Sequence, residues 1–326
     1  MKDFISIRDL TPGAIRHLLE LAGHIKGTPA SYAYALKSKT LAMLFEKPSL
    51  RTRVTFDVAM QELGGHSLYL GPTEIKLGER ESVHDIAKNL ERMVDGIMIR
   101  TFAHQRVEEL ALHASIPVIN GLSDYSHPCQ ALADYLTILE VKGRIQGLRI
   151  AFVGDGNNVA RSLLFAGALL GAQVFIATPA GYELDAASVA WADQWTRETG
   201  FRCTLTNDPD EAVHDADVVY TDVWTSMGQE EESSARAKYF HNFQVNLDLF
   251  ARARPDAIFL HCLPAHRGDE VTDEVIDSPN SFVFLQAENR LHTEKAVLME
   301  TIYNLPDRAA RREVFMAPVH CGGAEK

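Results

Sequence analysis

Short apolar runs rich in Val, Ile and Leu alternate with amphipathic stretches along nearly the whole chain, and this rhythm restricts the fold more than any other feature of the sequence. The first half offers candidate strands at "TLAMLF", "HSLYL", "DGIMIRT" and "IPVINGL", with helical spacing over Arg51–Leu63, Ser82–Met93, Arg106–Ala114 and Pro128–Val141. The second half repeats it with "LRIAFVG", "AQVFIAT", "FRCTLTN", "DVVYTDV", "AIFLHCL" and "SFVFLQA". Apolar strands separated by helices form parallel sheets covered on both faces. At 326 residues the chain exceeds one typical core. The expected fold is therefore α/β, with two doubly wound domains, each a mainly parallel sheet between helices. The junction is placed at "VKGRIQG", where glycines bracket a polar turn. This gives residues 1–141 and 142–292, a last helix from Thr293 that crosses back to complete the first domain through about 317, and a loose tail over 318–326.

Charge and cysteine content exclude several functions. A formal net charge of −12 and a pI near 5.5 oppose general nucleic-acid binding, so any anion is held locally in a pocket. The opening "MKDFISIRDLTPGAIRHLLELAG" has acidic residues and helical periodicity in place of a signal peptide's basic start and apolar core. No later stretch has the apolar length of a membrane span. Cys129, Cys203, Cys262 and Cys321 are widely spaced, as expected of free thiols in a reducing cytoplasm.

Candidate chemical residues gather at strand ends. "EKPSLRTRVTFDVAM" puts Ser49, Arg51, Thr52 and Arg53 in the first turn of a helix beginning near Leu50, where unpaired backbone N–H groups favour an anion. A capped surface helix with solvated arginines fits the same residues. Arg100 ends a strand, and "GLSDYSHPCQ", "GDGNN", "TDVWTSMG" and "HCLPAHRG" follow strands. Ligands bind outside the carboxyl ends of strands in such sheets, so these segments converge on one interdomain crevice. "GDGNN" resembles the opening of a dinucleotide fingerprint, but Val159–Ala160–Arg161 replace its third glycine and no ribose-binding acid follows. Asn158 is then a side-chain amide at a helix start, or a simple cap. His261, Cys262 and His266 suggest zinc. Neighbours on a strand point to opposite faces, however, and no cysteine pair supports a metal.

"SLRTR", "HPCQ", "DVWTSMGQE" and "HCLPAHRG", in this order, resemble the aspartate/ornithine carbamoyltransferase family, and "SMG" after an aspartate with "HCLP" points to its ornithine branch. The resemblance implies carbamoyl transfer from carbamoyl phosphate to L-ornithine, without cofactor or metal. It assigns Ser49, Leu50, Arg51, Thr52, Lys76, Arg100, His127, Gln130, Cys262, Leu263 and Arg290 to carbamoyl phosphate, and Leu122, Asn158, Asp222, Ser226 and Met227 to ornithine. Arg100, His127, Cys262 and Asp222 would act in the reaction, the Cys262 thiol moving toward neutrality to carry a proton. The family's commonest form has threonine where Leu50 stands. Lys76 would reach a neighbouring subunit's site, which implies a homotrimer or a multiple of one. Alternatives are a carbamoyltransferase for putrescine or N-acylated ornithine, and a non-catalytic binding protein; an Arg290 surface salt bridge with Glu288 or Glu294 is the structural alternative for that residue.

Overall fold

The structure, a computed structural model, describes residues 1–75, 78, 81–225, 231 and 233–306. It has two domains, each built on a parallel sheet flanked by helices. In the first, β1 (Thr40–Phe45), β2 (His66–Leu70), β3 (Gly96–Arg100) and β4 (Val118–Leu122) stand in the order β2-β1-β3-β4. In the second, β5 (Arg149–Val153), β6 (Gln173–Ala177), β7 (Arg202–Thr206), β8 (Val218–Thr221) and β9 (Ile258–His261) stand in the order β7-β6-β5-β8-β9. Every strand pair in both sheets is parallel.

Strand side chains alternate between two faces, and both faces are buried. On β1, Leu41, Met43 and Phe45 join one apolar cluster while Ala42 and Leu44 join another. On β5, Ile150 and Phe152 separate from Ala151 and Val153 in the same way. The inner faces of both sheets belong to one continuous cluster. Helices α1 (Pro12–Gly27), α2 (Leu50–Glu62), α3 (Pro128–Lys142) and α4 (Asn158–Leu170) contribute to it, with Tyr135 of α3 donating to the Leu163 carbonyl of α4 at 3.0 Å. The two domains are thus joined by packing as well as by chain.

The expected strand "SFVFLQA" is instead the start of a helix, α5 (Val283–Leu298), which ends in a π-helical turn over Met299–Tyr303. Ser281 alone makes a bridge, to Phe259. The helix therefore begins ten residues before the expected Thr293. Its period was hidden because the buried face is mostly polar, with Gln286, Asn289, Arg290, Thr293 and Glu294, whereas Phe284 is 72% exposed. A short run of apolar letters then reads as a strand. α5 packs against α1, α2 and α3 from the first half of the chain. The continuation past 306 and the tail 318–326 lie outside the described residues.

Sheet order reverses between β1 and β3 in one domain and between β5 and β8 in the other. Crevices form at such reversals. The segment after β5 needs its glycines for this geometry: a Cβ on Gly156 would lie 2.6 Å from the Tyr182 carbonyl oxygen and 2.7 Å from the Leu184 nitrogen. Both are backbone atoms, so the loop would have to move. Gly156→Ala is expected to destabilise the protein by about 1–3 kcal/mol, read as a lower midpoint in urea unfolding; an unchanged midpoint would show that the loop yields freely.

Candidate active site

Between the sheets, a cleft of about 780 Å³ is lined from both domains. After β1 come Ser49, Leu50, Arg51 and Thr52; Arg100 ends β3; Leu122 ends β4, with His127 beyond it. Asn157 and Asn158 follow β5, Asp222 follows β8, Cys262 and Leu263 follow β9, and Arg290 enters from α5. Gln130 lies one layer behind the lining: its oxygen accepts from Arg290 Nη1 at 3.0 Å and its amide nitrogen donates to Asp134 at 2.8 Å. Lys76, Ser226 and Met227 lie outside the described residues.

The cationic side is built on α2. The Ser49 hydroxyl accepts from the Thr52 N–H at 3.3 Å and so caps the helix at the cleft. Arg51 and Arg100 are crowded by burial and by Arg290. Burial, then Arg290 and Arg51, pull Arg100 down to about 10, so it stays charged at neutral pH. Arg51 is lowered for similar reasons, by burial and Arg290, partly offset by the Asp222 carboxylate. His127 is held well below the usual imidazole range by burial and the same three arginines, hence neutral. Its backbone N–H donates to Ser162 Oγ at 2.9 Å, which fixes the turn. An anion would relieve the mutual repulsion of this group.

Across the cleft, Asp222 accepts from Asn157 Nδ2 at 2.8 Å through one oxygen and from the Cys262 thiol at 2.9 Å through the other. Asp155 pairs with Arg236 at 2.8 Å, and Arg236 also donates to the Trp224 carbonyl at 3.0 Å. After β9 the backbone turns sharply. Leu263 has φ +56°, rare for a residue with a side chain, and the turn is braced by buried Glu270, which pairs with His261 at 3.1 Å and accepts from the His266 N–H at 2.6 Å. One wall can hold an anion; the facing wall offers a carboxylate to a cation.

Two sequence profiles match this chain. "Aspartate/ornithine carbamoyltransferase, carbamoyl-P binding domain" covers residues 2–140, and "Aspartate/ornithine carbamoyltransferase, Asp/Orn binding domain" covers 146–301. The chain belongs to the aspartate/ornithine carbamoyltransferase family. It is 57% identical to the ornithine carbamoyltransferase of Thermococcus kodakarensis over 91% of this chain and 95% of that one. It is 56% identical to the Pyrococcus furiosus protein named "Ornithine carbamoyltransferase, anabolic", over 91% and 95%. The solved Pyrococcus furiosus ornithine carbamoyltransferase superposes with a TM-score of 0.91 at 54% identity, covering 94% of this chain and 98% of that one.

In this member of the carbamoyltransferase family, several sequence expectations need correction. Arg53 is not in the cleft: one step around α2 from Thr52, it is exposed and stacks over the Tyr69 ring at 4.0 Å. The cap of α4 is Asn157, whose oxygen accepts from the Val159 and Ala160 N–H groups at 2.9 and 3.1 Å. Asn158 instead donates to the Ser123 carbonyl at 2.6 Å. Arg290 is no surface residue but 2% exposed. His261 and Cys262 do not diverge as neighbours within a strand would: β9 stops at His261, and candidate ligand atoms of Asp222, His261 and Cys262 lie within 4.8 Å of one another. Both His261 ring nitrogens are nonetheless engaged, with Glu270 and with the Leu263 N–H.

The largest correction concerns the thiol. Burial and the adjacent Asp222 push Cys262 well above the ordinary thiol range, opposite to the expected shift, so it is a hydrogen-bond donor to Asp222. Sequence reasoning also missed Asn157, the Asp155–Arg236 pair and Lys47, which is buried beside the cradle, 2.5 Å from Asp124 and 4.1 Å over the Phe102 ring. Its place next to "PSLRTR" was the available signal. Alkylation of Cys262 by iodoacetamide is expected to stay slow through about pH 9, followed by peptide mass spectrometry. Asp222→Asn removes the carboxylate that raises the thiol and should move the onset to lower pH; an onset that stays put would exclude Asp222 as the cause.

Proposed function

We propose that the chain is an ornithine carbamoyltransferase that moves the carbamoyl group of carbamoyl phosphate to the δ-amine of L-ornithine, giving L-citrulline and phosphate. One observation carries the reading: a single cleft sets Arg51, Arg100 and Arg290 at a helix N-terminus opposite the Asp222 carboxylate. The names of the relatives supply the substrates that these walls fit. Residues 1–141, with the C-terminal helix, would carry carbamoyl phosphate, and residues 142–292 ornithine.

In the reaction the neutral δ-amine attacks the carbamoyl carbon. The bond to the bridging oxygen then breaks, phosphate leaves with that electron pair, and the proton given up by the amine nitrogen ends on the departing phosphate. Negative charge collects first on the carbamoyl oxygen. Thr52, Arg100 and neutral His127 would donate there, while Ser49, Leu50 and Arg51 hold the phosphate with backbone N–H groups and a planar fork. Leu50 keeps its N–H and lacks only a hydroxyl. Gln130 and the carbonyls of Cys262 and Leu263 would accept from the carbamoyl NH2, with Arg290 completing the wall. On the ornithine side, Asp222 and Ser226 would meet the α-ammonium, Asn158 and Met227 the carboxylate, with Leu122 along the stem. Because Cys262 is a donor that occupies one Asp222 oxygen, the thiol orients that carboxylate instead of acting as a thiolate.

The assembly belongs to the same proposal: a cytoplasmic homotrimer, or a multiple of one, in which Lys76 reaches a neighbour's site. Support comes from β2 and α2. β2 is an edge strand, and Leu50, Val54 and Leu68 beside it are exposed, Leu50 by 75%. Apolar groups on an unpaired edge are what a subunit contact covers. Among the described residues no helix is long and apolar enough to cross a membrane.

Acceptor-dependent phosphate release from carbamoyl phosphate should be fast with ornithine and absent with putrescine, aspartate or N-acetylornithine; preference for any of these three would overturn the acceptor assignment. Asp222→Asn should raise the ornithine KM at least about tenfold, since a charge-assisted contact is lost, while carbamoyl phosphate affinity by calorimetry moves less than about threefold. Equal losses in both would place Asp222 in folding. Mixing inactive Arg100→Ala and Lys76→Ala proteins should restore activity through hybrid sites; no recovery after subunit exchange would remove the shared site.

A further inference from the structure

The side chain that does most to hold Arg290 is one that the family resemblance leaves unassigned. Glu294 lies one turn along α5, fully buried, and its Oε1 accepts from both Arg290 Nε at 2.9 Å and Arg290 Nη2 at 2.5 Å. Arg290 Nη2 also donates to Thr52 Oγ1 at 3.3 Å, and Nη1 to Gln130 at 3.0 Å. A guanidinium has five N–H donors in one plane. Four are thus taken, which leaves one Nη1 hydrogen without a partner among the described residues, on a side chain that lines the cleft.

That count fixes a direction. With two bonds to one carboxylate oxygen, the guanidinium cannot turn about its long axis without breaking both. The bonds to Thr52 and Gln130 are longer and go to neutral oxygens, so they are the weaker restraints. We propose that Glu294 is a positioning residue that locks the guanidinium plane of Arg290 and aims its remaining N–H at carbamoyl phosphate, thereby setting the affinity of the first substrate. The inference rests on the functional reading above and names a residue that the reading does not use.

Charge supports the same role. Burial lifts the Glu294 carboxyl, while Arg290 and the Thr55 hydroxyl of α2 favour its ionised form. For Arg290, burial is the largest single effect and opposes the charge, but Glu294 together with its other neighbours outweighs it, so the guanidinium stays firmly protonated in a dry place. A buried ion pair of this sort is poor evidence of a stabilising purpose, since an apolar pair of equal volume often does as well. Holding a fork in one orientation is something an apolar pair cannot do.

The test is a double-mutant cycle on full-length protein, with carbamoyl phosphate affinity by calorimetry and ornithine KM from citrulline formation. Glu294→Ala should weaken carbamoyl phosphate binding about tenfold or more and leave ornithine KM within about twofold. Glu294→Gln, whose amide oxygen can accept the same two N–H groups, should recover affinity to within about threefold of wild type. In the Arg290→Ala background, the further change Glu294→Ala should alter affinity less than about twofold, because nothing is left to position. Unchanged affinity in Glu294→Ala, or equal losses with and without Arg290, would overturn the inference. Absence of carbamoyl phosphate binding by the wild type would instead overturn the functional reading beneath it.

Discussion

Mutual repulsion among Arg51, Arg100 and Arg290 is the constraint around which the cleft is organised. Bringing several guanidinium groups together away from water is unfavourable, and the lowering of Arg100 to about 10 records that cost, with burial as its largest cause. The surroundings hold each group where it is. Arg290 is bound to Glu294, Gln130 and Thr52, and Arg51 sits in the first turn of a helix whose start is fixed by Ser49. Such a site is prepared for a doubly charged ligand before the ligand arrives. The energy needed to assemble it is drawn from the packing of helices far from the cleft.

That packing also explains why two sheets can share one site. Each sheet has a single order reversal, and the inner apolar cluster runs through both domains. Helices α3 and α4 lie within this cluster, and each starts at the cleft, with His127 before one and Asn157 before the other. A shift of either helix would therefore move a site residue with it. Polar contacts across the seam, such as His127 N–H to Ser162 Oγ, Asn158 to the Ser123 carbonyl and Arg161 to the Tyr125 carbonyl, set the alignment of the two halves over that apolar contact.

Much of this was legible in the sequence because parallel sheets write themselves as apolar runs. All nine strands among the described residues coincide with runs identified from Val, Ile and Leu content; the tenth run, at Ser281–Ala287, was a helix whose buried face carries polar groups. The crevice was legible from the placement of motifs after strands. What could not be read were properties that depend on neighbours distant in sequence. Cys262 is raised by burial and by Asp222, forty positions away; Arg53 leaves the cleft through the 100° step of a helix; and the cap of α4 falls on Asn157, while Asn158 is drawn to the Ser123 carbonyl of the other domain. The spacing of Glu294 from Arg290 marked it as an ion-pair partner, but its burial was not legible, since a glutamate one turn from an arginine usually marks a solvated helix face.

The polar inner face of α5 has a bearing on how this chain tolerates change. In most helices the apolar positions are the intolerant ones and the polar positions accept nearly anything. Here the order is inverted. Phe284 is largely exposed and touches little that a smaller residue would disturb, whereas Gln286, Asn289, Arg290 and Glu294 are each tied by side-chain hydrogen bonds to α2, α3, β9 or one another. Substitution maps scored by hydropathy would rank these positions backwards. Between Phe284 and Glu294 tolerance to substitution is therefore set by hydrogen-bonding valence, while Val283 and Ala296–Leu298 at the two ends of the helix remain ordinary buried apolar positions.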